Sequence, residues 1–385
     1  MSLKKITIAI FGLIISLPLL LWLTPFGFQN KTEFETIFKR SKSEITWDTK
    51  NLTKTNKSIT NYAIDNFRYR QKLVGFNALL NKNFKISSDL KIIVQGKDGW
   101  LFLGNGYNSV VKKSLGEEVM SADLLKNWNL KFTKLQSSLS SKNIQFCIAV
   151  VPNKHTIYSE HLPNGLVARP VTNYSMIMEL NHLNLVDLKK KYLENKKPSP
   201  LLYYKSDSHW SEYGAFLAYQ EICNSIGISN ENQIDIRPNQ FEQSEYRYGY
   251  GLANMQGLIG KVNDYKQFNA HDKKALSDNV TFKSFNTKDL YQPISHNYKF
   301  KQGIKISVNN KEAKNEKTVL IVGDSFRSRI APYMNQTFSE IHYLHWHDFE
   351  ATDIMNTVNK LNPDIVIYQV VERSVDWPNH IRLIE

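Results

Sequence analysis

Three features of the sequence predict an α/β fold: a mostly parallel central sheet with helices on both faces. Ile144–Val151, Thr318–Val322 and Pro363–Val371 are continuous apolar segments of strand length, the pattern of strands buried on both sides. Helical patterns alternate with them, as a layered α/β arrangement requires. Hydrophobic residues make up 42% of the chain and charged residues 22%, which excludes a disordered, collagen-like or multi-span membrane protein. At 385 residues the chain has room for more than one unit, and the division expected is 1–28, 29–85 and 86–385.

Ile6–Leu23 carries no charge and is preceded by Lys4 and Lys5. Eighteen residues form about 27 Å of helix, close to the thickness of a bilayer core. No small-residue cleavage pattern follows, so a retained anchor is expected, with the N-terminus cytoplasmic and the rest of the chain outside. Residues 29–58 read as a polar spacer, and Ile59–Leu80 as an amphipathic helix. Leu90–Val94 and Trp100–Leu103 read as strands around the turn at Gly96–Gly99. Ser121 caps a helix running to Leu139.

After the Ile144–Val151 strand, Leu183–Val186 is a short strand and Ser211–Ile226 a helix. Residues 262–316 are polar, with weak strand signals, and read as an insertion or excursion from the sheet. Thr318–Val322, Ile341–Leu344 and Pro363–Val371 complete the strand series, with helices at Ile330–Phe338 and Thr352–Leu361. The two cysteines, Cys147 and Cys223, fall on core-like elements and are expected to be buried and unpaired.

Chemistry concentrates at two places. Thr318-Val-Leu-Ile-Val-Gly-Asp-Ser-Phe326 runs a buried strand into Gly323-Asp324-Ser325. Ligands bind beyond the carboxyl ends of such strands, so Ser325 sits where a nucleophile is useful. Asp207-Ser208-His209-Trp210 lies just before a helix. Positions i and i+2 of an extended segment share a side, so Asp207 can orient His209. A serine hydroxyl needs such a base, and the three residues supply the Ser-His-Asp set. Asn153, Lys154, Glu372 and Arg373 at strand ends, with Trp210, are further candidates for substrate or oxyanion contact. His342, His345 and His347 read as structural or exposed, and no metal site or soluble cofactor is expected. Lys and Arg exceed Asp and Glu by 49 to 36, for a net charge of +13. That excess suits an anionic partner. The basic residues are scattered along the chain, against nucleic-acid binding.

Gly-Asp-Ser-Phe together with Asp-x-His-Trp resembles the SGNH-hydrolase-like domain of alginate O-acetyltransferases of the AlgJ/AlgX type. The likeness includes Gly96-Lys-Asp-Gly-Trp-Leu-Phe-Leu103, Val151-Pro-Asn-Lys154, Ile157-Tyr158, Leu162-Pro163 and Pro363-Asp-Ile-Val-Ile-Tyr-Gln-Val-Val-Glu-Arg373. Phe67-Arg-Tyr-Arg70 resembles the segment before the first of these, so coverage runs over about residues 60 to 377. The Asp/His pair precedes the serine, so the resemblance is to a permuted branch and not to common secreted esterases. It departs at Tyr250–Met255, which lacks an acidic residue beside Gly251-Leu252, and no carbohydrate-binding module is expected after the domain. The resemblance implies a three-layer α/β/α fold of the SGNH-hydrolase type and acetyl transfer through Ser325, His209 and Asp207. It further implies an exported polysaccharide acceptor, a multi-span membrane acyltransferase supplying acetyl, and a single-pass inner-membrane location facing the periplasm. An esterase using the same triad, or a polysaccharide-binding scaffold, is the alternative.

Overall fold

The computed structural model describes residues 16, 43–49, 51–67, 69, 90–247, 249–258, 260–268, 280–285, 290–294, 306–345 and 354–377. It divides into two compact units: residues 1–88 with 248–261, and residues 89–247 with 262–385.

In the first unit a helix spans Leu52–Asn66, capped by Asn51, whose side chain accepts from the Lys54 N–H. It begins inside the stretch expected to be spacer, because Asn51 offers a stronger start than Ile59. Asp65 fixes the preceding segment by accepting from the Ser43 N–H at 3.0 Å and hydroxyl at 2.7 Å. Residues 70–89 lie outside the described residues, as does the segment 6–23 expected to be an anchor, except for Ser16. Among the described residues no helix is long and apolar enough to cross a membrane. A short helix, Gly251–Met255, also belongs to this unit.

The second unit opens with strands β1 (Ile93–Gln95) and β2 (Leu101–Leu103), an antiparallel pair. The turn between them places Asp98 and Gly99 at φ 53° and 80°, which the Asp-Gly pair tolerates. The strands that follow are β3 (Gln145–Val151), β4 (Leu185–Val186), β5 (Glu242–Glu245), β6 (Tyr265–Phe268), β7 (Val280–Phe285), β8 (Leu290–Ile294), β9 (Ile306–Asn310), β10 (Asn315–Gly323), β11 (Phe338–His345) and β12 (Ile365–Val371). Eight of them form one sheet in the order β4-β3-β12-β10-β11-β9-β7-β8. The first five are parallel, and β9, β7 and β8 continue the sheet antiparallel.

This corrects the reading of residues 262–316 as an excursion. Three of their strands, β7, β8 and β9, extend the sheet itself, and β6 pairs with the earlier β5 in a separate two-stranded ribbon. The signal is weak because antiparallel strands toward a sheet edge need no continuous apolar run. In β9, Val308 is buried beside buried Ser307, whose hydroxyl lies 2.8 Å from His342 Nδ1.

The continuous apolar strands do lie in the middle and are covered on both faces. Phe146, Ile148, Val150, Leu320, Val322, Val366, Tyr368 and Val370 pack with Trp128, Phe132, Leu135 and Leu139 of the Ala122–Ser140 helix and with Val358 of the Ile354–Leu361 helix. Residues of opposite parity face the Glu212–Ser225 and Arg327–Thr337 helices, where Tyr343 donates to Asn335 Oδ1 at 2.7 Å. Ser121 caps its helix by accepting from the Leu124 N–H at 3.2 Å. Cys147 and Cys223 are both free and buried.

Candidate active site

Strand β10 ends at Gly323, paired with Gln369 of β12 and His345 of β11. The next residue, Asp324, is buried and shapes the turn. Its carboxylate accepts from the Phe326 N–H at 2.9 Å, the Gln369 amide at 2.8 Å and the Val371 N–H at 2.8 Å. Arg327 adds donors to the carbonyls of Gly323 and Asp324 at 3.0 and 2.8 Å. With its neighbours tied down on both sides, Ser325 is left exposed at the carboxyl end of the parallel strands.

The second segment loops between Tyr203 and Trp210, which bridge as antiparallel partners. Ser211 closes it, capping the Glu212–Ser225 helix by accepting from the Gly214 N–H at 3.1 Å. A Cβ at Gly214 would lie 2.2 Å from the Leu202 carbonyl oxygen. The helix start can therefore approach the loop only with glycine there.

The two segments meet. His209 Nε2 lies 2.8 Å from Ser325 Oγ, and His209 Nδ1 lies 2.9 Å from Asp207 Oδ1. A ring whose Nδ1–H donates to the carboxylate leaves Nε2 to accept from the serine hydroxyl, the arrangement a general base needs. Asp207 also accepts from the His209 N–H at 3.2 Å, and its Oδ2 accepts from Arg329 at 3.1 Å. Burial works to raise the Asp207 carboxyl, but His209 and Arg329 hold it well below the usual carboxylate range. It is therefore an anion at neutral pH, able to stabilise an imidazolium. Arg329 is itself placed by the Trp210 carbonyl and by the Tyr204 ring 4.9 Å away.

The remaining sequence-predicted residues are buried or half-buried around this line. Asn153 donates from its side-chain amide to Ser114 Oγ at 2.9 Å, and its N–H donates to Glu372 at 2.8 Å. Lys154 is no substrate contact. Its Nζ donates to the carbonyls of Tyr204, Lys205 and Asp207 at 2.8, 2.9 and 2.8 Å. Three acceptors take all three N–H groups of an ammonium. Burial pushes that ammonium down to about 7, while Asp264 and Asp207 favour its charge. Trp210 is fully buried, with its ring edge-on to Phe326 at 5.2 Å. It is core and presents no face to a sugar. Arg373 is half-buried, its guanidinium 5.7 Å from the centre of the Phe326 ring, next to Ser325.

Glu372 is fully buried and accepts from the Asn153 N–H and from the Thr156 hydroxyl at 2.7 Å. It fastens the end of β12 to the end of β3 and does not reach solvent. Burial pushes its carboxyl from 4.5 up to about 7, against the two hydrogen bonds. The folded protein thus keeps a proton that the unfolded chain has lost, and stability falls as pH rises from about 4.5 through about 7. Glu372→Gln is expected to remove this dependence. Its stability relative to wild type should improve between pH 4.5 and 8 by on the order of 2 kcal/mol, read by urea denaturation at both ends. An unchanged difference across that range would show that burial does not perturb this carboxyl.

Four residues that position the site were not foreseen: Asp324, Gln369, Arg329 and Asp264. Arg329 follows Ser325 by one helical turn, a spacing that could have drawn notice. Asp264 has no signal in the sequence. Among the described residues no group of three or more His, Cys, Asp or Glu is placed to hold a metal ion.

Residues 93–281 match the family model described as "SGNH hydrolase-like domain, acetyltransferase AlgX". That span includes Asp207 and His209 but not Ser325. Two curated relatives, each named "Probable alginate O-acetylase AlgJ", are similar. The one from Pseudomonas fluorescens is 22% identical over 175 residues, covering 44% of this chain and 42% of the relative. The one from Pseudomonas syringae pv. tomato is 24% identical over 179 residues, with the same coverage. The chain spans less than half the length of these relatives. Among solved structures, Bacillus cereus PatB1 with a sulfonyl adduct superposes with a TM-score of 0.56 at 17% identity, covering 74% of this chain and 96% of that one. A DHHW family protein from Eubacterium siraeum gives 0.52 at 16% identity, covering 76% and 97%. These two likenesses establish a shared fold.

Proposed function

Residues 93–281 belong to the SGNH hydrolase-like domain family of the acetyltransferase AlgX, and on that premise we propose that the protein moves an acetyl group through Ser325 onto an exported, acidic polysaccharide. One observation carries the reading: Ser325, His209 and Asp207 form a continuous hydrogen-bonded line at the carboxyl end of the parallel strands. Ser325 Oγ attacks the acetyl carbonyl of the donor while His209 Nε2 takes its proton. That proton passes to the departing group, leaving acetyl-Ser325. A sugar hydroxyl then attacks the ester, His209 takes the hydroxyl proton, and its return to Oγ frees the serine. Asp207 stabilises the imidazolium at both stages.

The net charge of +13 supports an anionic acceptor. So does a recess of about 680 Å³ lined in part by Tyr158, Lys197, Lys205 and Tyr265, which reaches the site segment through Lys205. Resemblance to the AlgJ/AlgX type supports an acetyl supply from a multi-span membrane partner. It also supports placement of the domain on the periplasmic side, tethered by residues 6–23. If so, full-length protein stays in the membrane pellet through a carbonate wash; a soluble form beginning after residue 23 would contradict the tether.

The exposure of Ser325 favours one second reading, an esterase, because water can reach the acyl group. Full-length protein given an activated acetyl ester with and without an acidic oligosaccharide separates the readings. Acetylated oligosaccharide is the expected product. Free acetate alone would make the protein an esterase, and no turnover at all would leave a binding scaffold.

A further inference from the structure

The loop that carries Asp207 and His209 is gripped from two sides by buried groups of opposite charge. Lys154, 3% exposed, takes its carbonyls at Tyr204, Lys205 and Asp207. Asp264, 1% exposed, takes its donors. Asp264 Oδ2 accepts from the Ser206 N–H at 2.7 Å and hydroxyl at 2.5 Å, and Oδ1 accepts from the Lys205 N–H at 3.3 Å. Lys154 Nζ also lies 5.2 and 5.1 Å from the ring centres of Trp100 and Phe102, so aromatic faces cover the rest of the ammonium.

The carbonyls of Tyr204, Lys205 and Asp207 are thus drawn toward one buried cation, and the N–H groups of Lys205 and Ser206 toward one buried anion. Interior charges of this kind are poor stabilisers. Each costs several kcal/mol to desolvate, and apolar replacements of similar volume are often no less stable. What they do provide is a fixed orientation for the backbone between them. Lys154 opens the short helix that follows β3, an interior strand of the sheet, and Asp264 immediately precedes β6. The loop is therefore referenced to two elements, and Asp207 sits at its far end.

We infer that Lys154 and Asp264 are positioning residues that set the approach of His209 to Ser325 by clamping residues 204–207 between them. The inference rests on Ser325 being the nucleophile. A shift of about 1 Å in a reacting group can cost about a hundredfold in rate, so a loosened clamp should slow the serine well before it unfolds the domain.

The test reads Ser325 directly. Full-length protein is treated with an aryl sulfonyl fluoride: Ser325 Oγ bonds to sulfur, fluoride departs, and His209 receives the hydroxyl proton. Wild type should be labelled at Ser325, and Ser325→Ala should not be. Failure to label wild type would overturn the nucleophile reading and the clamp with it. Given a labelled wild type, Lys154→Met and Asp264→Asn should each label about tenfold or more slowly while keeping their circular dichroism. Each should also lose the downfield proton resonance of the His209–Asp207 hydrogen bond. The double variant should be no slower than the worse single one, because both act on the same loop. A folded variant of either residue that labels within twofold of wild type and retains that resonance overturns the clamp. Loss of folding in both would overturn it too, assigning the pair to stability alone.

Discussion

Ser325→Ala is expected to lower acetyl transfer by on the order of 10⁴-fold or more, and His209→Ala by a similar factor. The serine supplies the atom that carries the acetyl group, and without the imidazole 2.8 Å away its hydroxyl stays protonated and weakly nucleophilic. The double variant should be no slower than either single one, since the residues act as a unit. Asp207→Asn keeps the shape but turns one oxygen into an amide nitrogen. It weakens both the hold on His209 Nδ1 and the pairing with Arg329, so a loss of 10²- to 10⁴-fold is expected. The Ser325 and His209 variants should keep a wild-type melting temperature within a few degrees, as Ser325 is exposed and His209 half-exposed. Rates of acetate release and of glycan acetylation check this. A Ser325→Ala protein that still transfers at a tenth of the wild-type rate would remove Ser325 from the chemistry.

Asp324→Ala should have the largest effect on stability. The carboxylate satisfies two buried backbone N–H groups and the Gln369 amide at the junction of β10 and β12. Each donor left without a partner in the interior costs about 1–3 kcal/mol. A loss of about 3 kcal/mol or more is therefore expected, seen calorimetrically as a drop on the order of 10 °C in Tm. Asp324→Asn should rescue only part of it, because its NH2 must face a donor. The same variants should also slow Ser325, whose turn Asp324 shapes. Loss of activity at unchanged Tm would mean that Asp324 touches substrate and does not merely build the turn.

The buried strands were legible because burial on both faces forces an unbroken apolar run, and Ile144–Val151 and Pro363–Val371 display one. Ser121 and Ser211 were legible as helix starts because a cap is a local device. The juxtaposition of Ser325 with His209 could be anticipated from roles, since a serine at a strand end needs a base. What could not be read is the packing that places them. Asp264 reaches the N–H groups of Lys205 and Ser206, and Asp324 that of Val371, all far from them in sequence, and a carboxylate that binds amides looks like any solvated acid. Trp210 and Lys154 were open between two readings for the opposite reason. An aromatic ring or a lysine near a motif suggests a ligand contact, whereas here one is core and the other is spent on three carbonyls. Strands β7–β9 left only weak signals because antiparallel strands toward a sheet edge relax the apolar pattern that betrays a strand.

The position of β12 bears on how the protein is made. It lies between β3 and β10, and the Asn153–Glu372 contact that closes its end against β3 joins residues 219 positions apart. A ribosome-bound chain exposes β3, β10 and β11 before β12 exists. Until then β3 and β10 each offer an open edge, apolar over Phe146–Val151 and Val319–Val322, with no native neighbour. Assembly of the sheet therefore waits on a non-local, parallel insertion, the slowest kind of pairing. The nascent domain spends that interval with its stickiest strands uncovered and depends on being shielded from other copies of itself.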